Sequence, residues 1–505
     1  MSIDHADLER PDAHPEQHVH DRTEDRAVLE SGRRTFMKRM FVGTGATAFA
    51  AMGGTALFNG TAAAADPTAT PTPSASGTAT APGGGGGGTM TMQTTPTDDF
   101  FGLTTDGYRI DDLYAVHSTH VTTTPVREAA VAFLASLTDA QRTETQFGIY
   151  DLEWRQWSNV DSYVRNGVDL ESLTDAQKKA GLAVLAAGLS AKGLKLTENI
   201  RALNDVAGRV LSQTDRFNDE LYYFTFMGTP SATEPWGFQF EGHHLVINYF
   251  VLGSQVVMTP SFWGSEPTSI VDPDTNVEVR VFDEHFAAAL AMVNSLTTSQ
   301  KATAVVSSTK TGDNNIAEAF KDNVQTGDYV GIAGKNLNKS QKAKLLALAN
   351  LFIENMDTGH AKVKMAEIKN HLSETYFSWI GATDADAVFY FRIQSPVIYI
   401  EFDCELPGPL GGTYGAGQGG GGGTPPSSAP SGTPSAEATP SGTATPIGGT
   451  TPSAGTTPTA GTGTTTSVPS RQHVHSVVRT PNGNDYGKEL LRQHYLTSPH
   501  HRNGR

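Results

Sequence analysis

His473 and His475 stand one residue apart in the string His473-Val474-His475-Ser476-Val477-Val478, which has the β-branched composition of a strand. Alternate side chains of a strand share a face, so the two imidazoles point the same way. Glu401 and Asp403 do so on another strand-like run, 396–403, just before a long low-complexity stretch. If that stretch is a loop joining the two strands, they pair as a hairpin, and two imidazoles and two carboxylates converge. His243 and His244 open a further strand with opposite orientations, so at most one of them joins such a cluster. Imidazole with carboxylate suits a divalent transition metal such as Zn, Mn, Fe or Cu, and three ligands with an open position activate water or bind oxygen. The candidate ligands are therefore His243, His244, Glu401, His473 and His475, with Glu241 or Asp485 as proton carrier. This chemistry would serve an exported hydrolase or oxidoreductase. The residues also admit a structural reading: one His of a His-x-His pair can be buried and the other exposed, and Glu401 can pair with Arg392 or Arg479. The His-Glu-x-x-His zinc motif is absent.

A second set of residues suits binding without catalysis. Trp154 and Trp157, three apart, either fill a core from one helix face or stack on a sugar or another planar ligand. Arg155 and Asn159, one helical turn apart, either contact a ligand or serve as ion pair and cap. Trp236 lies in a Pro235-Trp236-Gly237 turn just before Glu241-Gly242, which reads as a shaped loop. On this reading the chain is a cell-envelope protein that binds glycans or peptides in an open aromatic groove, with its His and acidic residues scattered. A nucleophilic serine has little support, because no Gly-x-Ser-x-Gly string occurs. Cys404 is the only cysteine, so no intramolecular disulfide can form, and it reads as a small buried apolar residue.

The elements that must position these groups are legible. A pattern recurs as Leu137-Thr138-x-x-Gln141, Leu173-Thr174-x-x-Gln177, Leu296-Thr297-x-x-Gln300 and, with Asn as the cap, Leu337-Asn338-x-x-Gln341. Thr or Asn three residues before Gln is a capping box, so each copy predicts a helix start, with the preceding Leu as its apolar staple. The spacing is too uneven for a solenoid but leaves room for a duplicated helical hairpin. Runs at 221–227, 244–251, 255–259, 387–393, 396–403 and 473–478 read as strands, and 484–496 as a short helix. Gly253-Ser254 suggests a tight hairpin turn. The expected fold class is α+β, with helices packed on a mainly antiparallel sheet.

Charge and targeting narrow the function further. A formal net charge of −16 argues against a nucleic-acid partner. Arg33-Arg34-Thr35-Phe36-Met37-Lys38, a Gly-interrupted apolar stretch from Met40 to Phe58 and the run Ala62–Ala65 follow in the order of a twin-arginine export signal. The stretch is too modest in hydropathy for a stable membrane anchor. The expected organisation is a signal peptide over 1–65 read by the twin-arginine translocase, a disordered linker over 66–98, and a folded body over 99–406. A disordered Gly/Thr/Pro/Ser insertion follows over 407–470, and a strand and helix over 471–501 complete the body.

Several strings carry a family resemblance: Asp151-Leu-Glu-Trp154-Arg155-Gln-Trp157-Ser-Asn159, Pro235-Trp236-Gly237, Glu241-Gly242-His243-His244-Leu245, Glu266-Pro267, Ile400-Glu401-Phe402-Asp403, His473-Val-His475 and Arg479-Thr-Pro-Asn-Gly-Asn-Asp485-Tyr-Gly487. Together they resemble the bacterial family called domain of unknown function 3500. The resemblance implies a secreted or exported protein and assigns no activity. The family pattern has His after Ile-Glu-Phe-Asp, where this chain has Cys404.

Overall fold

The computed structural model describes residues 99–317, 322–408 and 468–498. The expected signal peptide and linker, and most of the expected insertion, lie outside the described residues.

The four capping boxes form as the sequence predicts. Thr138, Thr174, Thr297 and Asn338 each accept the backbone N–H three residues on, and the Gln at that position reaches back to the cap. The Leu before each cap is buried. The helices are α1 (Thr124–Ser136), α2 (Asp139–Thr145), α3 (Asp175–Gly188), α4 (Ala191–Leu211), α5 (Asp283–Asn294), α6 (Thr298–Ala304), α7 (Lys339–Ile353), α8 (Thr358–Asn370) and α9 (Lys488–Thr497). The main strands are β1 (Tyr222–Met227), β2 (Trp236–Gly242), β3 (Leu245–Leu252), β4 (Ser261–Ser265), β5 (Tyr376–Gly381), β6 (Phe389–Gln394), β7 (Tyr399–Cys404) and β8 (Val474–Arg479). They make one antiparallel sheet in the order β5-β6-β7-β8-β4-β3-β2-β1, extended by short edge strands. The fold is α+β.

The chain is duplicated within itself. In the first half, Gln146–Phe147 runs parallel to β1 and Val168–Asp169 antiparallel to it. In the second, Val305–Ser307 runs parallel to β5 and Ile332–Ala333 antiparallel to it. Each half thus reads helix, capped helix, short strand, loop, short strand, two helices and three strands. The capping Gln residues are used alike: Gln177 Nε2 donates to Ser136 O and Gln141 Oε1 (both 2.9 Å), and Gln341 Nε2 to Ser295 O (2.8 Å) and Gln300 Oε1 (2.7 Å). The halves meet at the ladder between β4 and β8, where Ser261 faces Val478.

Apolar residues alternate along these strands, and both sheet faces are covered. Phe224, Phe238, Phe391, Phe402 and Val478 pack in the core that includes the helices. Val246, Phe250, Phe262, Tyr399 and Val477 pack on the other face with Trp154, Trp157 and Tyr486. No helix among the described residues is long and apolar enough to cross a membrane.

Candidate metal centre

β7 and β8 pair antiparallel across the low-complexity stretch, as the hairpin expectation requires, with Asp403 opposite His475. His473 and His475 share the face that carries Glu401, Asp403 and Glu405. The third imidazole comes from the first half. His243 and His244 form a two-residue turn between β2 and β3, whose last pair is Gly242 with Leu245. His244 adopts a left-handed backbone, φ 60°, which a non-glycine residue seldom takes outside a constrained site. Its N–H donates to Asn159 O (3.0 Å), and its carbonyl accepts from Gly264 N (2.8 Å). A Cβ on Gly264 would lie 3.3 Å from His244 Cδ2 and 2.8 Å from both Phe262 Cε1 and Val474 O, so glycine leaves room for the ring.

The result is a triangle of Nε2 atoms: His473 to His475 3.0 Å, His244 to His475 3.1 Å and His244 to His473 3.3 Å. All three residues are buried. The outer nitrogens fix the tautomers. His473 Nδ1 lies 2.5 Å from Leu406 O, and a carbonyl only accepts, so this nitrogen carries the hydrogen. His475 Nδ1 lies 2.9 Å from a Glu405 carboxylate oxygen. Burial opposes ionisation of Glu405, but His475, His473 and the Asn315 amide hold its carboxyl below the usual range. The Asn315 amide donates to Glu405 Oε1 at 2.6 Å. In the neutral ring, Nε2 of His473 is therefore a bare lone pair, and it lies 3.0 Å from Nε2 of His475, so a cation between the two nitrogens is favoured. A proton bridges two nitrogens; a metal ion satisfies all three. With metal–nitrogen bonds of about 2.0–2.1 Å, ligand edges run from roughly 2.9 Å at right angles to roughly 3.4 Å at tetrahedral angles, and the triangle falls within that span. Burial lowers the His473 pKa to about 4 and puts that of His244 well below the ordinary imidazole value, so both rings present the neutral, metal-binding form.

Of the five expected ligands, His244, His473 and His475 come together. His243 does not join them: its Nδ1 lies 2.8 Å from Asn204 Oδ1, and its ring stacks on His244 with centroids 4.0 Å apart. Glu401 shares the right face but is saturated by Ile316 N, Ala317 N and Tyr390 Oη, and pairs with neither Arg392 nor Arg479. The carboxylate that touches the cluster is Glu405, overlooked in the sequence although the same two-residue alternation reaches it one step past Cys404. Asp403 bonds Lys310 and the amides of Asn314 and Asn315, fastening that loop to the sheet. Glu266 is also buried, with Oε1 3.9 Å from His473 Nδ1.

Neither expected proton carrier is placed for that role. Glu241 accepts Ser158 N (3.0 Å) and lies 3.4 Å from the Arg165 guanidinium; burial raises its carboxyl to about 7 against the pull of that Arg. Asp485 forms a fully buried pair with Arg479 (2.7 Å) and accepts Thr480 N. The expected ligand-binding residues are structural as well. Trp154 and Trp236 are fully buried, their indole N–H groups donating to Ile149 O and Ser231 O. Arg155 is buried and paired with Asp322, and Asn159 is buried beside the His244 turn. Cys404 is buried and its thiol is pushed up to about 12 by burial, which leaves it inert.

Residues 119–424 match the family described as protein of unknown function (DUF3500). The chain belongs to that family. The DUF3500 match takes in the His244 turn and Glu405, and ends before His473 and His475. No curated protein and no solved structure matches the chain.

Proposed function

We propose that His244, His473 and His475 hold a divalent transition metal with at least one open coordination position, and that the protein is a metal-dependent enzyme acting through metal-bound water. The observation that carries this reading is the buried triangle of Nε2 atoms, 3.0 to 3.3 Å apart. Three neutral ligands leave the ion its full charge, which favours ionisation of bound water near neutral pH and so suits a hydrolase. The Glu405 carboxylate orients His475 and offsets part of that charge from the outer edge. Nitrogen ligands of this kind suit zinc, iron, copper or nickel over magnesium or calcium. The binding-protein alternative loses its aromatic groove, because Trp154 and Trp236 are core.

Elemental analysis of the purified full chain tests the reading: about one equivalent of metal is expected in the wild type, and far less in His473→Ala and His475→Ala. Zinc supports hydrolysis, whereas iron or copper moves the assignment to an oxidoreductase. Absence of metal after reconstitution, with melting indifferent to chelator, overturns the site.

We also propose export by the twin-arginine translocase, on the strength of Arg33-Arg34 and the ordered segments that follow them. Replacing both arginines with Lys is expected to hold the precursor in the cytoplasm; unchanged export would refute this.

A further inference from the structure

The two halves differ where the centre lies. Pair by pair, the His243–His244 turn of the first half corresponds to Pro396–Val397 of the second, because the preceding pair Glu241–Val246 matches Gln394–Tyr399. Asp403, which faces His475, matches Phe250, which faces Val257. Gln255, two residues from Val257, takes the rank of His473. The places of His244, His475 and His473 are thus held by Val397, Val257 and Gln255, which make no metal site.

Around this second position lies a cavity of about 440 Å³, within the size range of small-molecule sites. None of the three imidazoles lines it. Helix α8 presents His360, Lys364 and Glu367 to it, and the residue that caps the helix, His371, continues the same face. Its wall also includes Met258, Phe352 and Val478, and methionine adapts well to irregular apolar ligands. The Lys364 ammonium donates to Glu367 Oε2 and to Val397 O (both 2.8 Å), which leaves its third hydrogen for a ligand. His371 Nδ1 is buried without a hydrogen bond and lies 3.6 Å from Glu374 Oε1.

We propose that this cavity binds a small amphipathic carboxylate, its apolar body against Met258, Phe352 and Val478 and its head on the Lys364 ammonium. The duplicated fold would then carry two sites of different chemistry, one for a metal and one for an organic acid.

Calorimetric titration of the full chain with octanoate and with octanol tests this. Saturable one-to-one binding of octanoate is expected, tighter than that of octanol. Val363→Trp, at a half-buried lining position on α8, should weaken octanoate at least tenfold while leaving metal content unchanged. Lys364→Met should abolish the preference for the acid over the alcohol. No saturable binding by the wild type, or binding that Val363→Trp leaves unmoved in a variant with wild-type metal content, overturns the site. Equal binding of acid and alcohol by the wild type overturns the role given to Lys364.

Discussion

Glu405 offers the sharpest test of the centre, because it should tune the metal without touching it. Its carboxylate lies 2.9 Å from His475 Nδ1, and the two side chains are only 7% and 9% exposed, so solvent screens the contact little. A hydrogen bond to a charged group contributes about 1.5–3 kcal/mol, roughly twice a neutral one. Glu405→Gln keeps an acceptor and loses the charge, which predicts a loss of about 1–1.5 kcal/mol, or roughly tenfold in zinc affinity. Glu405→Ala leaves both the His475 Nδ1–H and the Asn315 amide without their acceptor. Its expected loss is nearer 100-fold, about 2.7 kcal/mol, the upper end for partners that orient metal ligands. Competition against a chromophoric chelator at pH 7.5 measures both. The order wild type, Gln, Ala is as informative as the sizes. If both variants fold and bind zinc within twofold of wild type, Glu405 does not support a metal ligand and the reasoning fails.

Other expectations follow from the same geometry. Gly264→Ala should cost about 1–3 kcal/mol through overpacking and weaken metal binding by displacing His244; a melting curve and a metal titration check both, and unchanged affinity would remove His244 from the centre. Trp154→Ala should destabilise by about 3–5 kcal/mol in urea unfolding, as a core residue does, whereas a ligand-stacking Trp would leave stability nearly intact. Burial raises the Glu153 carboxyl to about 8, so between its ordinary value of 4.5 and that point the folded chain holds a proton the unfolded chain releases. Stability should therefore fall as pH rises through this window, by up to ~1.4 kcal/mol per pH unit. Glu153→Gln removes this term, and its urea midpoint should gain on the wild type between pH 5 and pH 8; parallel profiles would contradict it.

Local signals in the sequence translated directly into elements. The four capping boxes rest on side chain to backbone bonds three residues apart, and the Gly253-Ser254 turn on a two-residue hairpin, so both were readable without the tertiary fold. The 484–496 helix begins later, at Lys488, because the backbone first passes through left-handed Tyr486 and Gly487. The duplication was visible only as uneven spacing; strand register, a long-range property, makes it plain. At the site, alternation placed His473 and His475 together, but it could not say which carboxylate the covering loop would consume. Asn314 to Ala317 take up Asp403 and Glu401, and Glu405 is left to the imidazoles. Nor could it foresee that His244 would leave the strand for a left-handed turn and join the triangle while His243, stacked on it, bonds Asn204.

The ladder between β4 and β8 joins residues more than two hundred positions apart. Pairings of such separation close late and slowly, since the intervening chain must be ordered first. During synthesis, the first half and most of the second leave the ribosome before β8 exists. His244 therefore waits without its partners until His473 and His475 emerge. A chain stopped between residues 404 and 473 would carry helices α1 to α8 and seven of the eight main strands, yet would lack two of the three imidazoles. Completion of the centre thus reports that synthesis has passed residue 475.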